Sequence, residues 1–286
     1  MLPALALIVV LAAALYTWNI GYSGLSTYYA AAARSMSTSW RALFFGSLDP
    51  ASTTTLDKLS GFLIPQVASV KLFGFSAWAL SLPQAVEGVV TIVASYAIGT
   101  RWRGPRVGIA IAAIMAFTPM LAAMFGRPME DGLLTMSMVL AFAAWQRAIL
   151  SRRLVWLIVC GGWIAVGFQA KMLQSWLILP GLAIAYLVGV DLPRAARVRQ
   201  LAVAGAVTLV LSLSWMTAIQ LVPSQDRPYI DGTTSNNTYS MVFGYNGVDR
   251  ILPGLVPGAV AQLNSSHGAG QSPVNHTRTT SAGESS

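Results

Sequence analysis

Long apolar runs separated by short polar breaks occupy most of this chain. They recur at about 2–19, 82–100, 107–125, 132–150, 154–170, 172–190 and 200–222, each close to the roughly 17–25 residues a helix needs to cross a bilayer. Gly161, Gly162 and Gly167 interrupt the fifth, which makes it the weakest of the set. This pattern predicts an all-α membrane protein, a polytopic helical bundle of about seven spans.

The segment between the first two runs, residues 20–81, is too rich in Trp, Phe and Leu for a solvated linker. Its parts 28–45 (YYAAAARSMSTSWRALFF) and 61–75 (GFLIPQVASVKLFGF) mix aromatic, small and basic residues as interfacial helices do. Between them lies the turn-rich GSLDPASTTTLDKLSG, which carries Asp49, Asp57 and Lys58. After residue 222, Pro, Gly, Asn and Asp predict an ordered loop. From 251 to 286 large apolar residues nearly vanish, and a disordered polar tail is expected there, following a membrane domain over 1–250.

Composition agrees with the pattern: 55% of residues are hydrophobic, 10% are charged, and the mean hydropathy is +0.60. The net charge of +8 would suggest a nucleic-acid partner in a soluble chain. Here nine of the 18 cations fall in triplets between alternate runs: Arg101, Arg103 and Arg106; Arg147, Arg152 and Arg153; Arg194, Arg197 and Arg199. That alternation follows the positive-inside rule and predicts a cytoplasmic N-terminus, with no nucleic acid needed to explain the charge. Asp49, Asp57, Glu130, Asp131, Asp226, Asp231 and Asp249 then all fall in segments assigned to the outer side, together with the C-terminal tail. Residues 2–15 lack a basic flank, and Thr17-Trp18-Asn19 is a poor cleavage site, so the first run is expected to stay as an anchor.

Candidate chemistry concentrates where runs meet the outer side. In LAAMFGRPMEDGLLT, residues 121–135, Glu130 and Asp131 open a span beside Arg127. A helix N-terminus favours negative charge by about 0.3–1 kcal/mol, so capping alone accounts for part of this placement. Other chemistries lack their residues. His267 and His276 both lie in the tail and Cys160 stands alone, which leaves no His/Cys metal pattern and no histidine for a serine triad. The chain also has no glycine-rich loop of the nucleotide-binding type.

Several short motifs occur in one order: Tyr29-Ala30, Ala33-Arg34 and Met36; Asp57-Lys58; Lys71-Leu72-Phe73-Gly74; Asp131-Gly132-Leu133-Leu134; Lys171-Met172-Leu173-Gln174; and Arg227-Pro228-Tyr229-Ile230. In order and spacing, over about residues 15–250, the chain resembles the bacterial aminoarabinose-transferase-like branch of the family that also holds the protein O-mannosyltransferases. The resemblance implies a C-type membrane glycosyltransferase fold and transfer of a sugar from a polyprenyl-phosphate carrier to an acceptor at the outer face of the cytoplasmic membrane. Asp57 and Asp131 are the expected catalytic carboxylates, and Lys58 and Lys171 the expected phosphate contacts. Arg127, Gln174, Arg227 and Tyr229 are expected to complete the substrate pocket, with Asp231 beside them and Glu130 as a helix-start neighbour. A divalent cation between a carboxylate and the carrier phosphate is compatible with this set, though no spacing demands one.

Leu25-Ser26 stand where the family pattern has an acidic pair, Leu59-Ser60 where it has prolines after Asp-Lys, and Ala170 where it has threonine. Family members also continue through further spans, so the sequence reads as a shortened member. Two other readings stay open: a non-catalytic relative that binds lipid-linked sugar or a membrane partner, and a transporter or carrier flippase. A flippase would call for charges near the bilayer midplane and for repeat-related broken helices. For individual residues, an exposed Asp57–Lys58 loop pair and a snorkelling Lys171 remain alternatives.

Overall fold

The computed structural model describes residues 1–18, 20–22 and 26–260. Eleven α-helices are found among these residues: α1 (Leu2–Thr17), α2 (Thr27–Thr38), α3 (Trp40–Phe45), α4 (Ile64–Phe73), α5 (Ala77–Arg103), α6 (Pro105–Phe117), α7 (Pro119–Phe125), α8 (Glu130–Ser151), α9 (Leu154–Lys171), α10 (Leu179–Gly189) and α11 (Arg194–Leu221). Extended pairing among the described residues is limited to isolated bridges, Ser47 with Thr55, Thr54 with Tyr229, and Thr233 with Ala259.

Four helical runs are long and apolar enough to cross a membrane: Ala77–Arg103, Glu130–Ser151, Leu154–Gly189 and Arg194–Leu221. A fifth is added if α6 and α7, bent by 65° at their junction, count as one. The sequence predicted a straight span over 107–125. Pro119 supplies no N–H to continue the helix and pushes Thr118 into an extended conformation (φ −66°, ψ 118°), so the run breaks there.

The 36-residue run from Leu154 to Gly189 is itself two antiparallel legs. Met172 takes φ 46° and ψ −127°, and the Ser175 hydroxyl donates to the Ile164 carbonyl at 3.0 Å. A continuous helix would hold these two residues about 16 Å apart. After the reversal a 3₁₀ segment, Met172–Ile178, leads into α10. The α8–α9 turn is also tight, because Arg152 closes α8 in the left-handed region (φ 59°) and α9 starts at Leu154.

The predicted helix over 28–45 is split in two. Ser39 is extended, and its hydroxyl caps α3 by accepting the Ala42 N–H at 3.1 Å. The second predicted helix, 61–75, is a 3₁₀ turn (Gly61–Leu63) running into α4. The helix expected from residue 82 begins earlier, at Ala77 under a Ser76 cap, so Pro83 lies inside it. Leu25, on which one departure from the family pattern falls, and residues 261–286 of the predicted tail lie outside the described residues; 251–260 form turns, with the Val256 N–H donating to Asp249 at 3.0 Å.

One apolar cluster carries the α2–α4 segment on the bundle. Met36 of α2, Leu56 and Phe62 of the connecting loop, Val67 of α4, Leu134 of α8 and Ala170 of α9 are all buried together. The loop therefore rests directly on the ends of α8 and α9. Gly61 permits the closest approach: a Cβ there would lie 2.5 Å from Gln169 Cβ and 2.8 Å from the Gln169 carbonyl oxygen. Gln169 is held in turn by donating to the Leu211 and Ser212 carbonyls of α11 at 3.2 and 2.9 Å. Gly61→Ala is expected to cost about 1–3 kcal/mol by overpacking, read as a lower thermal midpoint in detergent with no loss of helix content.

Candidate active site

The site is built where α2, the 46–60 loop and the first turn of α8 meet. Ser26 caps α2, its hydroxyl accepting the Tyr29 N–H at 3.5 Å, and this presents Tyr28 and Tyr29 side by side. The Tyr28 hydroxyl accepts the Asp57 backbone N–H at 3.1 Å and donates to Asp231 Oδ2 at 3.2 Å. One phenol thus joins α2, the loop and the segment after α11. From the far side, Asn246 Nδ2 donates to the Asp57 carbonyl at 2.6 Å, and the Tyr245 hydroxyl lies 3.5 Å from Asp57 Oδ2.

Lys58 is the hub of charge. Its Nζ donates to the Tyr29 hydroxyl at 2.7 Å and lies 3.6 Å from Glu130 Oε1 and 3.9 Å from Asp57 Oδ1, with both Lys58 and Glu130 only 12% exposed. The next residue of α8, Asp131, takes the other lysine, Lys171 Nζ to Asp131 Oδ1 at 2.5 Å. Adjacent carboxylates at one helix start therefore hold a lysine from the 46–60 loop and a lysine from the end of α9. Asp57 and Asp131, the two expected catalytic acids, are brought to the same end of the bundle and joined through Lys58, Glu130 and the α8 backbone.

The surroundings tune these groups. Burial pushes the Asp57 carboxyl above its ordinary range; Lys58 pulls it down, and Asp231 and Glu130 add to the rise. Burial also works against the Lys58 charge, but Asp57, Glu130 and the Tyr29 hydroxyl outweigh it and its pKa rises. Burial and the adjacent Asp57 raise Tyr28 strongly, so it remains a protonated donor. Asp57 Oδ1 is buried and accepts no hydrogen bond, with Lys58 Nζ 3.9 Å away. Among the described residues no group of three or more His, Cys, Asp or Glu side chains is arranged to hold a metal.

The other expected site residues are placed differently. Gln174 is exposed on the 3₁₀ segment, and Arg127 is exposed in the turn before α8 with no carboxylate partner. Arg227 clamps backbone: Nη1 donates to the Gln220 and Val222 carbonyls at 2.8 and 3.0 Å, and Nη2 donates to Asn236 at 2.5 Å. Tyr229 pairs through its backbone with Thr53 and Thr55, and its hydroxyl donates to the Thr233 carbonyl. Both order the loop that carries Asp231.

Two acids beyond the expected set draw attention. Glu130, read as a bystander at the helix start, is the nearer carboxylate to Lys58. Glu87, inside α5, is 4% exposed with neither oxygen hydrogen-bonded. It faces Gly132, where a Cβ would sit 2.5 Å from Glu87 Oε2. The available signal was a lone acid in the 82–100 run.

With this geometry in view, comparison with known proteins is informative. Residues 63–216 match the family model for dolichyl-phosphate-mannose-protein mannosyltransferases, more than half of the chain. The chain belongs to this family. Among curated relatives in Bacillus subtilis, it is 30% identical to YycA over 266 residues and 33% identical to YkcB over 248, both described as inferred mannosyltransferases. Those alignments take in 93% and 86% of this chain but 39% and 35% of the relatives, so the chain spans under two-fifths of their length. Solved structures with the same fold include ArnT from Cupriavidus metallidurans without ligand, with TM-score 0.60, 23% identity, and 76% of this chain and 41% of that one covered. ArnT bound to undecaprenyl phosphate gives 0.55 at 22% identity, covering 78% and 42%. The oligosaccharyltransferase of Archaeoglobus fulgidus gives 0.57 at 15% identity, covering 86% and 32%. The apolar helices and this membership together make the chain a multi-pass membrane protein.

Two measurements follow from the site. The raised folded-state pKa of Asp57 means that stability from its protonated form is present below the ordinary carboxylate value of about 3.9 and is lost as pH rises through the raised value. Asp57→Asn should therefore remove a fall in thermal midpoint across the mildly acidic range, and an unchanged profile would contradict the shift. Arg227→Ala strips the α11 end of its charged donor, with an expected cost of about 2 kcal/mol. Helix content should be kept while protease cleavage within 222–240 rises.

Proposed function

We propose that this chain forms the catalytic region of a membrane glycosyltransferase that moves a sugar from a polyprenyl-phosphate carrier to an acceptor at the outer face of the cytoplasmic membrane. The observation that carries the reading is the Asp57–Lys58–Glu130 cluster, in which a carboxylate of raised pKa stands beside a cation at the helix ends. Family membership and the ArnT structure solved with undecaprenyl phosphate support a lipid-phosphate donor.

The chemistry divides between the two adjacent residues. The Asp57 carboxylate, 23% exposed as a side chain, takes the proton from an acceptor hydroxyl; the acceptor oxygen forms its bond to the anomeric carbon as the bond to the carrier phosphate oxygen breaks, and the electron pair leaves on the phosphate. Lys58 stabilises that departing charge. Its contacts to Asp57 and Glu130, at 3.9 and 3.6 Å, are loose enough to exchange for a phosphate oxygen, whereas the Lys171–Asp131 pair at 2.5 Å is already close. We assign Lys171 and Asp131 to positioning the start of α8, and Arg127 and Gln174, both exposed, to contacts nearer the acceptor.

In the same reading the chain crosses the membrane seven times: α1, α5, the bent α6–α7 pair, α8, α9, the leg from 172 to 189, and α11. The N-terminus lies in the cytoplasm, and α2–α4 lie along the outer boundary. Support comes from the arginine triplets, which fall at the opposite end of α5, α8 and α11 from the carboxylate cluster.

The test uses the purified chain in lipid vesicles with a mixed pool of radiolabelled polyprenyl-phosphate sugars. Asp57→Asn should lower transfer by at least about 100-fold while donor binding holds, and Lys58→Ala should weaken donor binding. Transfer that survives Asp57→Asn would sink the catalytic assignment. Donor binding by the unaltered chain without transfer would establish the non-catalytic reading instead.

A further inference from the structure

The end of the bundle away from the carboxylate cluster holds a second concentration of charge. Arg101 and Arg103 close α5, Arg106 and Arg147 lie on α6 and α8, Arg152 and Arg153 form the α8–α9 turn, and Arg194, Arg197 and Arg199 open α11. Contacts tie these termini together: Arg101 Nη1 donates to Gln146 Oε1 at 3.4 Å, and Arg152 pairs with Asp191 at 2.7 Å. Asp191 is the one carboxylate of the described residues at this end.

A furrow leads from this end into the apolar body. A cavity of about 560 Å³ is bounded by Ile98, Arg101 and Trp102 of α5, Ile111 of α6, and Phe142 and Leu150 of α8. A second, of about 490 Å³, shares Ile98, Ile111 and Phe142 and continues past Met138. From Leu150 to Met138 the furrow follows α8 for about 18 Å, a little more than half of a hydrocarbon core about 30 Å thick. Its walls are aliphatic and aromatic, Arg101 and Gln146 stand at its mouth, and Trp102 is 66% exposed there, as interfacial tryptophans are.

We propose that this furrow binds one anionic phospholipid of the adjoining leaflet, with an acyl chain along α8 and its phosphate on Arg101. Length and walls suit a single acyl chain. The excess of arginine over carboxylate favours an anionic headgroup over a zwitterionic one, as basic pockets between membrane helices do. The site lies at the opposite end of α8 from Glu130 and Asp131, so it is separate from the proposed donor site and does not depend on that function.

Native mass spectrometry of the full chain, released from nanodiscs, would compare retention of dioleoyl phosphatidylglycerol with dioleoyl phosphatidylcholine. Phosphatidylglycerol should be retained preferentially, and Arg101→Gln should lower that preference about fivefold. Leu150→Trp, which fills the mouth at an exposed position, should reduce retention of phosphatidylglycerol, while Arg194→Gln, with equal loss of charge away from the furrow, should leave it unchanged. Inorganic phosphate in excess should not displace the lipid. Equal retention of the two lipids, equal losses from Arg101→Gln and Arg194→Gln, or displacement by inorganic phosphate would each overturn the proposal, the first pointing to a helix of another chain as the furrow's occupant.

Discussion

A lysine withdrawn from water must be given opposite charge, and the arrangement of the segment between α1 and α5 follows from how Lys58 receives it. Its partners come from three places far apart in the chain: Asp57 beside it, Tyr29 on α2, and Glu130 at the start of α8. Removing one partner of a buried pair leaves an uncompensated ion, which costs far more than the pair contributes when intact. The loop, α2 and α8 are therefore held to one another through a shared cation. The apolar cluster of Met36, Leu56, Phe62 and Leu134 beneath makes the same three-way connection by burial, so packing and charge specify one geometry.

That geometry also explains why Asp57 holds its proton more firmly than an ordinary carboxyl. It is buried, Asp231 and Glu130 lie near enough to add to the rise, and Lys58 as its neighbouring cation offsets only part of it. A carboxylate that is costly to ionise binds a proton more firmly, which is the property a general base needs. The strain is tolerated because the Asp57 backbone is held from both sides, by the Tyr28 hydroxyl on its N–H and the Asn246 amide on its carbonyl.

The helical, membrane-spanning character was legible because lipid permits little else to a chain with such long apolar runs. Breaks were read less well. Thr118-Pro119 bends a run that hydropathy treats as continuous, while Ser39 splits a segment whose composition is uniform. Hydropathy measures solvent, whereas these breaks depend on a missing N–H and a competing hydroxyl. At the site, Asp57, Lys58, Asp131 and Lys171 were singled out from the order of short motifs and from charge in a loop or beside a span, whereas the pairing of Asp131 with Lys171 was not foreseen. Nor was the part played by Glu130, since spacing cannot tell which of two adjacent acids faces a lysine more than 70 residues earlier. Arg227 and Tyr229 were misleading for a related reason. Groups suited to binding a substrate are equally suited to binding backbone carbonyls, and after α11 those carbonyls were closer.

The cations that pair with carboxylates at the Asp57 end are lysines, Lys58 and Lys171, compact charges on flexible stems. Arg227 at that end binds backbone carbonyls instead, and at the opposite end the cationic side chains of the described residues are all arginine. Between them, Glu87 lies against Gly132 with no donor to either oxygen. The glycine after Asp131 is what leaves room for it.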